Sequence, residues 1–170
     1  MMRTEAKRAI YAGSFDPPTY GHLWIIEEAK KLFDEVVIAL GLNPDKHYTY
    51  SVEERLSMLQ SIVGHSSQVN ISSFKNIYLV EYAHQIGAQY IIRGIRSVAD
   101  YEYERSMRYI NSDMYPDIGT WFLFPPREYS EVSSTLVKGL VGFENWEEVL
   151  KKYVPDAVRK MMVKKFKLRR

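Results

Sequence analysis

Ser14, His22, Lys46, Arg93 and Arg96 are the side chains of this sequence best suited to chemistry on phosphates. Ser14 and His22 belong to the segment AGSFDPPTYGH, Ala12 to His22, which follows a short β-branched and aromatic run. Gly13 in that segment lets the backbone come close to a bound ligand. His22 falls in the first turn of the next helical pattern, where free N–H groups and the helix dipole favour negative charge. Lys46 lies in the polar stretch Asn43 to His47. Arg93 ends an apolar run, a place where arginine seldom sits without an anionic partner. It is followed by Gly94, Ile95 and Arg96, and then by Asp100 and Glu104. A last segment, Pro125 to Thr135, carries Tyr129, Ser130, Glu131, Val132, Ser133, Ser134 and Thr135. Ser133 and Ser134 suit a helix N-cap. Singly, each feature has a plain structural explanation: a cap, a solvated lysine, a surface histidine. Together they make an edge rich in cations and N–H donors that attracts a polyphosphate. No paired carboxylates and no Ser-His-Asp arrangement stand out.

The elements that must hold these residues alternate between strand and helix. Ala9 to Ala12, Glu35 to Leu42, Gln68 to Ser72, Gln89 to Arg93 and Thr120 to Phe124 read as strands. Leu23 to Phe33 reads as a helix with Ile25, Ala29, Leu32 and Phe33 inward. Ser51 to Glu54 is a capping box that opens a helix with Val52, Leu56, Leu59 and Val63 inward. Leu79 to Ile86 is a short helix ending at Gly87 as C-cap. Val98 to Tyr115 is a long helix with Ala99, Tyr103, Met107, Ile110 and Met114 on one stripe. Ser134 to Val141, Asn145 to Lys152 and Pro155 to Lys167 complete the chain as helices. Strands alternating with helices imply parallel pairing through crossovers, and unbroken apolar runs imply burial on both faces. The expected fold is α/β, a Rossmann-like doubly wound sheet of about five parallel strands with C-terminal helices. Ligands in such sheets bind beyond the carboxyl ends of the strands, where all four segments fall.

Composition fits that reading. The chain has 170 residues, 46% hydrophobic and 26% charged, which suits a single soluble domain spanning residues 1–170. With no cysteine there is no disulfide framework and no thiol chemistry. The N-terminus lacks the apolar core of a signal peptide and no apolar run suits a membrane span, so a cytoplasmic location without membrane partners is expected. Residues 151–170 hold nine Lys or Arg and one acid, which leaves the rest of the chain net negative. Val154, Val158, Met161 and Met162 recur at helical spacing there. A docked helix with a solvated basic face is therefore expected rather than a nucleic-acid arm.

Three blocks in order, GSFDPPTYGH, IIRGIRSVADYEYE and SSTLVK, resemble the bacterial phosphopantetheine adenylyltransferase family of the nucleotidylyltransferase superfamily. Thr19-Tyr20-Gly21-His22 gives the superfamily's T-x-G-H form, and the RGIR…DYEYE block is the discriminating piece. The resemblance covers roughly residues 9–140. It implies adenylyl transfer from ATP to 4′-phosphopantetheine with Mg2+, giving dephospho-coenzyme A and pyrophosphate, and a homo-oligomer, commonly a hexamer. It implies that His22 contacts the α-phosphate and stabilises the pentacovalent transition state, with Lys46 and Arg96 also in the catalytic set. Ser14, Lys46, Tyr78, Leu79 and Arg93 would hold the acceptor. Ser14, Phe15, His22, Gly94, Ile95, Arg96, Glu104 and residues 129 to 135 would hold ATP. Three features depart from the family pattern. Asn76 to Val80 replaces G-L-L-V, Glu131 stands where an apolar or aromatic residue is common, and residues 139 to 152 run longer.

Two other readings stay open on the residues alone. The same chemistry can serve another acceptor, such as nicotinate mononucleotide, or glycerol phosphate with CTP. Those relatives usually carry H-x-G-H and a different late motif. The fold can also serve a non-catalytic nucleotide-binding protein. Retention of His22, Lys46 and Arg93 together argues against the latter.

Overall fold

Apolar residues on both sides of a strand require cover on both sides of the sheet. A computed structural model describes residues 6–167 and has that layering. Strands β1 (Arg8–Gly13), β2 (Glu35–Leu42), β3 (Val69–Lys75), β4 (Tyr90–Gly94) and β5 (Gly119–Leu123) form one parallel sheet in the order β3-β2-β1-β4-β5. Ile10 is in register with Val37 on one side and Ile91 on the other. Successive residues of a strand point to opposite faces. Ala9, Tyr11, Val36, Ile38 and Leu40 pack with α1 (Tyr20–Leu32) and α2 (Val52–Val63). Ile10, Ala12, Val37 and Ala39 pack with Val80 and Ala83 of α3 (Leu79–Gln85) on the other face. The chain order changes direction between β1 and β4. Their carboxyl ends therefore diverge and open a crevice.

Local chemistry sets the ends of the elements. The Ser51 capping box forms as expected: the Glu54 amide donates to Ser51 Oγ (3.2 Å) and the Ser51 amide to Glu54 Oε2 (2.7 Å). Gly87 takes a φ of 68°, which a side chain would resist, and closes α3. The first helix begins at Tyr20 rather than Leu23 because Thr19 caps it. Leu32, expected inward, is exposed, and Ile26 is buried in the core. In α2 the buried residues are Arg55, Met58 and Leu59, while Val52, Leu56 and Val63 are only half-buried. β3 runs to Lys75, past the expected end at Ser72.

The fourth helix, α4 (Val98–Met114), departs most from expectation. Its intended inward stripe is not covered: Ala99, Tyr103, Ile110 and Met114 are exposed and Met107 is half-buried. Only Asn111 is buried on this helix. The period of the sequence marks an apolar face, but that face does not meet the chain's own sheet. β5 is an edge strand and leaves Trp121 exposed for the same reason.

The C-terminal part is a set of short helices, α5 (Arg127–Ser130), α6 (Ser134–Gly139) and α7 (Trp146–Val149), a 3-10 turn (Leu150–Lys152), and the longer α8 (Asp156–Lys167). The single turn of α5 is too short to leave a period in the sequence. Val154, Val158 and Met162 are buried with Leu150, Val137, Tyr50 and Met58, so the basic helix is docked on α2 as expected. Its lysines meet acids: Lys165 lies 2.7 Å from Glu54 and Lys167 2.9 Å from Glu147. The last part of the basic tail, residues 168–170, lies outside the described residues. Among the described residues, no helix is long and apolar enough to cross a membrane.

Candidate active site

The loop after β1 is built around three fixed points. Phe15 adopts a φ of 46°, in the left-handed region that few non-glycine residues occupy. Its buried ring meets Tyr11 at 5.5 Å and His22 at 5.0 Å, both edge-on. Asp16 is 2% exposed, and its carboxylate accepts from the Thr49 amide (3.0 Å), the Tyr50 amide (2.9 Å) and Lys138 Nζ (2.8 Å). Burial alone would raise the Asp16 pKa. The Lys138 hydrogen bond, the two amides and the Lys138 charge more than offset that, and the carboxyl sits below its ordinary value. Ser134 adds a further tie, donating from Oγ to the Pro17 carbonyl at 2.7 Å.

His22 is oriented by the cap that starts its own helix. The Thr19 amide donates to His22 Nδ1 at 3.0 Å, and the His22 amide donates to Thr19 Oγ1 at 3.4 Å. Nδ1 is therefore an acceptor, and a neutral ring carries its proton on Nε2. Burial lowers the His22 pKa to about 4, with the charge of Arg96 acting in the same direction. At neutral pH the ring is an uncharged donor rather than a cation or a base.

The cations are already engaged. Lys46 Nζ donates to Ser14 Oγ at 3.2 Å. Arg93 donates from Nε to Glu104 Oε2 at 2.8 Å, from Nη2 to Glu104 Oε1, and from Nη1 to the Ala12 carbonyl at 2.9 Å. Arg96 donates from Nε to Asp100 Oδ2 at 3.1 Å. Glu104, which the resemblance implied as an ATP-holding residue, takes up Arg93, and Asp100 takes up Arg96.

Two cavities meet at these residues. The first, about 330 Å³, lies over the ends of β1 and β4. Ser14, Phe15, His22, Lys46, Arg93, Gly94, Arg96, Glu104, Tyr129, Val132, Ser133, Ser134 and Thr135 line it. The second, about 740 Å³, opens beside it between the ends of β2 and β3 and α4, and Tyr78 lines it with Phe74 and Tyr103. Ser14, Lys46 and Arg93 line both. Leu79, Ile95, Ser130 and Glu131 line neither. Leu79 packs against the core, Ile95 is buried, Ser130 bonds the Arg127 carbonyl and Glu131 closes α5. Gly94 lets β4 pack closely on α1: a Cβ there would stand 2.3 Å from Ile25 Cδ1.

Sequence reasoning passed over Asp16, Thr19 and Lys138 as site residues, although all three line the first cavity. Lys138 had a readable signal. It stands four residues after Ser134, on the same helical face. Asp16 had none, because its partners are 33 and more residues away.

Comparison with known proteins gives the geometry a family. The cytidylyltransferase-like family model matches residues 10–140. A protein of Chromobacterium violaceum named phosphopantetheine adenylyltransferase is 58% identical over 157 residues, 92% of this chain and 96% of the relative. One of the same name from Caldanaerobacter subterraneus subsp. tengcongensis is 40% identical over 94% of this chain and 97% of its own length. Among solved structures, the nicotinic acid mononucleotide adenylyltransferase of Plasmodium falciparum complexed with NaAD superposes with a TM-score of 0.69. It covers 94% of this chain and 96% of its own, at 17% identity, a likeness of fold alone. With relatives this close over nearly its whole length, the chain belongs to the phosphopantetheine adenylyltransferase family, within the cytidylyltransferase-like nucleotidyltransferases.

Proposed function

We propose that the protein transfers the adenylyl group of ATP to 4′-phosphopantetheine, giving dephospho-coenzyme A and pyrophosphate. The observation that carries this reading is the sharing of Ser14, Lys46 and Arg93 between the two cavities. ATP occupies the first cavity and the acceptor the second, and their phosphates meet at the shared wall. An oxygen of the acceptor phosphate attacks the α-phosphorus. The bond to the bridging oxygen breaks, and pyrophosphate leaves with that electron pair. A phosphate monoester has a second pKa of about 6, so the nucleophile is mostly a dianion at neutral pH and no protein base is needed. Positioning and charge stabilisation remain as the protein's contribution.

The side chains divide that contribution. The Nε2–H of His22 donates to a non-bridging oxygen of the α-phosphate as charge builds there. Lys46, resting on Ser14, meets the acceptor phosphate. Arg93 meets the acceptor phosphate by giving up part of its contact with Glu104. Arg96, with the segment Tyr129 to Thr135, lies along the triphosphate.

Magnesium fits this site only as a companion of the phosphates. Asp16, Asp100 and Glu104 are each taken by a cation, and among the described residues no group of three His, Cys, Asp or Glu side chains can hold a metal ion. Magnesium brought in on the triphosphate would neutralise the departing pyrophosphate.

The exposed face of α4, with Tyr109, Ile110 and Met114, supports assembly into a homo-oligomer, a hexamer by family resemblance. Ile110→Asp is expected to lower the particle mass measured by light scattering. A wild-type mass equal to one chain would overturn the assembly.

His22→Ala is expected to lower kcat by about 10²–10³-fold with ATP affinity kept, since the lost donor acts on developing charge. The His22 ring should titrate near pH 4 by NMR. The fold holds the neutral form. Its contribution to stability is thus full above the ordinary 6.5 and is lost as pH falls toward 4. A midpoint near 6.5 together with near-wild-type turnover of His22→Ala would remove this role.

Pyrophosphate release from ATP, measured with a panel of acceptors, tests the reaction itself. The highest kcat/KM is expected with 4′-phosphopantetheine. Faster reaction with nicotinate mononucleotide would replace the acceptor, and release with none would point to a binding protein.

A further inference from the structure

Arg55 is 1% exposed, yet it lines neither cavity. It projects from α2 into the space between two loops that carry site residues. One is the loop after β1, with Ser14. The other is the stretch after β2 that carries Lys46 and Tyr48. Arg55 touches both and belongs to neither. Its Nη1 donates to the Ser14 carbonyl at 3.0 Å, and its guanidinium carbon lies 4.0 Å from the centroid of the Tyr48 ring. Its Nε reaches back to the Ser51 carbonyl at 3.3 Å, which anchors it to the start of its own helix.

Tyr48 carries this contact into the Lys46 loop. Its hydroxyl donates to the Gly41 carbonyl at 3.3 Å and accepts from the Asn43 amide at 3.1 Å. The stretch from Gly41 to Tyr48 is thereby closed on itself, with Lys46 inside the closed segment. On the other side, the peptide held by Arg55 precedes Phe15, whose φ of 46° is a strained setting that surrounding contacts must maintain. Between the two held segments, Lys46 Nζ lies 3.2 Å from Ser14 Oγ.

We propose that Arg55 is a positioning residue for the acceptor-phosphate end of the site. Acting through the Ser14 carbonyl and the Tyr48 ring, it fixes the separation of the Ser14 hydroxyl from the Lys46 ammonium. The inference rests on the assignment of Ser14 and Lys46 to the acceptor phosphate. Arginine suits the task because its planar group stacks on a ring with its face while its edge donates to a carbonyl. Lysine at the same place keeps the charge but cannot do both.

The test is steady-state kinetics on Arg55→Lys and Tyr48→Phe, with acceptor and ATP varied separately and a thermal melt of each variant. Arg55→Lys is expected to raise KM for 4′-phosphopantetheine by about tenfold or more, while KM for ATP stays within about twofold, because small misplacements at a reacting centre are costly. Tyr48→Phe keeps the ring under Arg55 and frees the loop. It should raise the acceptor KM by less, again without moving that for ATP. A merely structural role would lower the melting temperature and move both constants together or neither. Wild-type acceptor KM in folded Arg55→Lys overturns the proposal. Should Arg55→Lys not fold, wild-type acceptor KM in Tyr48→Phe overturns it. Lys46→Ala separates this outcome from failure of the underlying assignment. If it leaves the acceptor KM unchanged, the acceptor site lies elsewhere. If it raises that KM while Arg55→Lys does not, only the positioning role falls.

Discussion

One buried carboxylate holds the site together. Asp16 receives two amides that lead into α2 and the ammonium of Lys138 from α6, while its own backbone belongs to the loop after β1. Three parts of the chain far apart in sequence converge on its two oxygens. Those parts carry Ser14 and His22, approach Lys46, and supply the Ser133 to Thr135 wall. A buried charge is costly unless paired and hydrogen-bonded, and here it is both. Removing one partner of such a pair typically costs about 3–5 kcal/mol. The Asp16 carboxyl is held below its ordinary value. Its contribution to stability is therefore present above the ordinary carboxylate range and is lost as pH falls through that lowered value.

The charge pattern around this anchor is set before any substrate arrives. Arg93 and Arg96 hold their places by pairing with Glu104 and Asp100 on the first turns of α4. The cleft therefore presents oriented donors without a large unbalanced positive charge. Neutral His22 belongs to the same scheme. Its ring is fixed by the Thr19 amide at one nitrogen and free to donate from the other. A site of this kind lowers a barrier through donors aimed in advance. It needs no proton acceptor, because the nucleophile comes ionised.

Much of this was legible in the residues. β-branched runs located all five strands, the Ser51 box located α2, and the spacing of Val154, Val158 and Met162 foretold a docked tail. These signals are local, and local physics writes them. The four segments at strand ends also converge, because a doubly wound sheet brings such ends to one edge. What failed was tertiary. The stripe of α4 is periodic, but a period names a face and not what covers it. Arg55 carried no signal in the sequence, since nothing nearby announces that the Ser14 carbonyl, 41 residues away, will accept its hydrogen bond. The pairing of Arg93 with Glu104 joins a strand end to a helix face across 11 residues, and nothing in the sequence indicated which acid that partner would be.

Asp16 ties the loop after β1 to Thr49, Tyr50 and Lys138, and so to both halves of the cleft. Kinetics of Asp16→Asn probe that tie, because asparagine keeps the size of the side chain and removes the charge that holds Lys138. The variant is expected still to melt cooperatively. Its kcat/KM should fall by about tenfold or more for ATP and for 4′-phosphopantetheine alike, since both walls lose their common anchor. A folded Asp16→Asn enzyme with wild-type kcat/KM for both substrates, or with a loss confined to one of them, would contradict it.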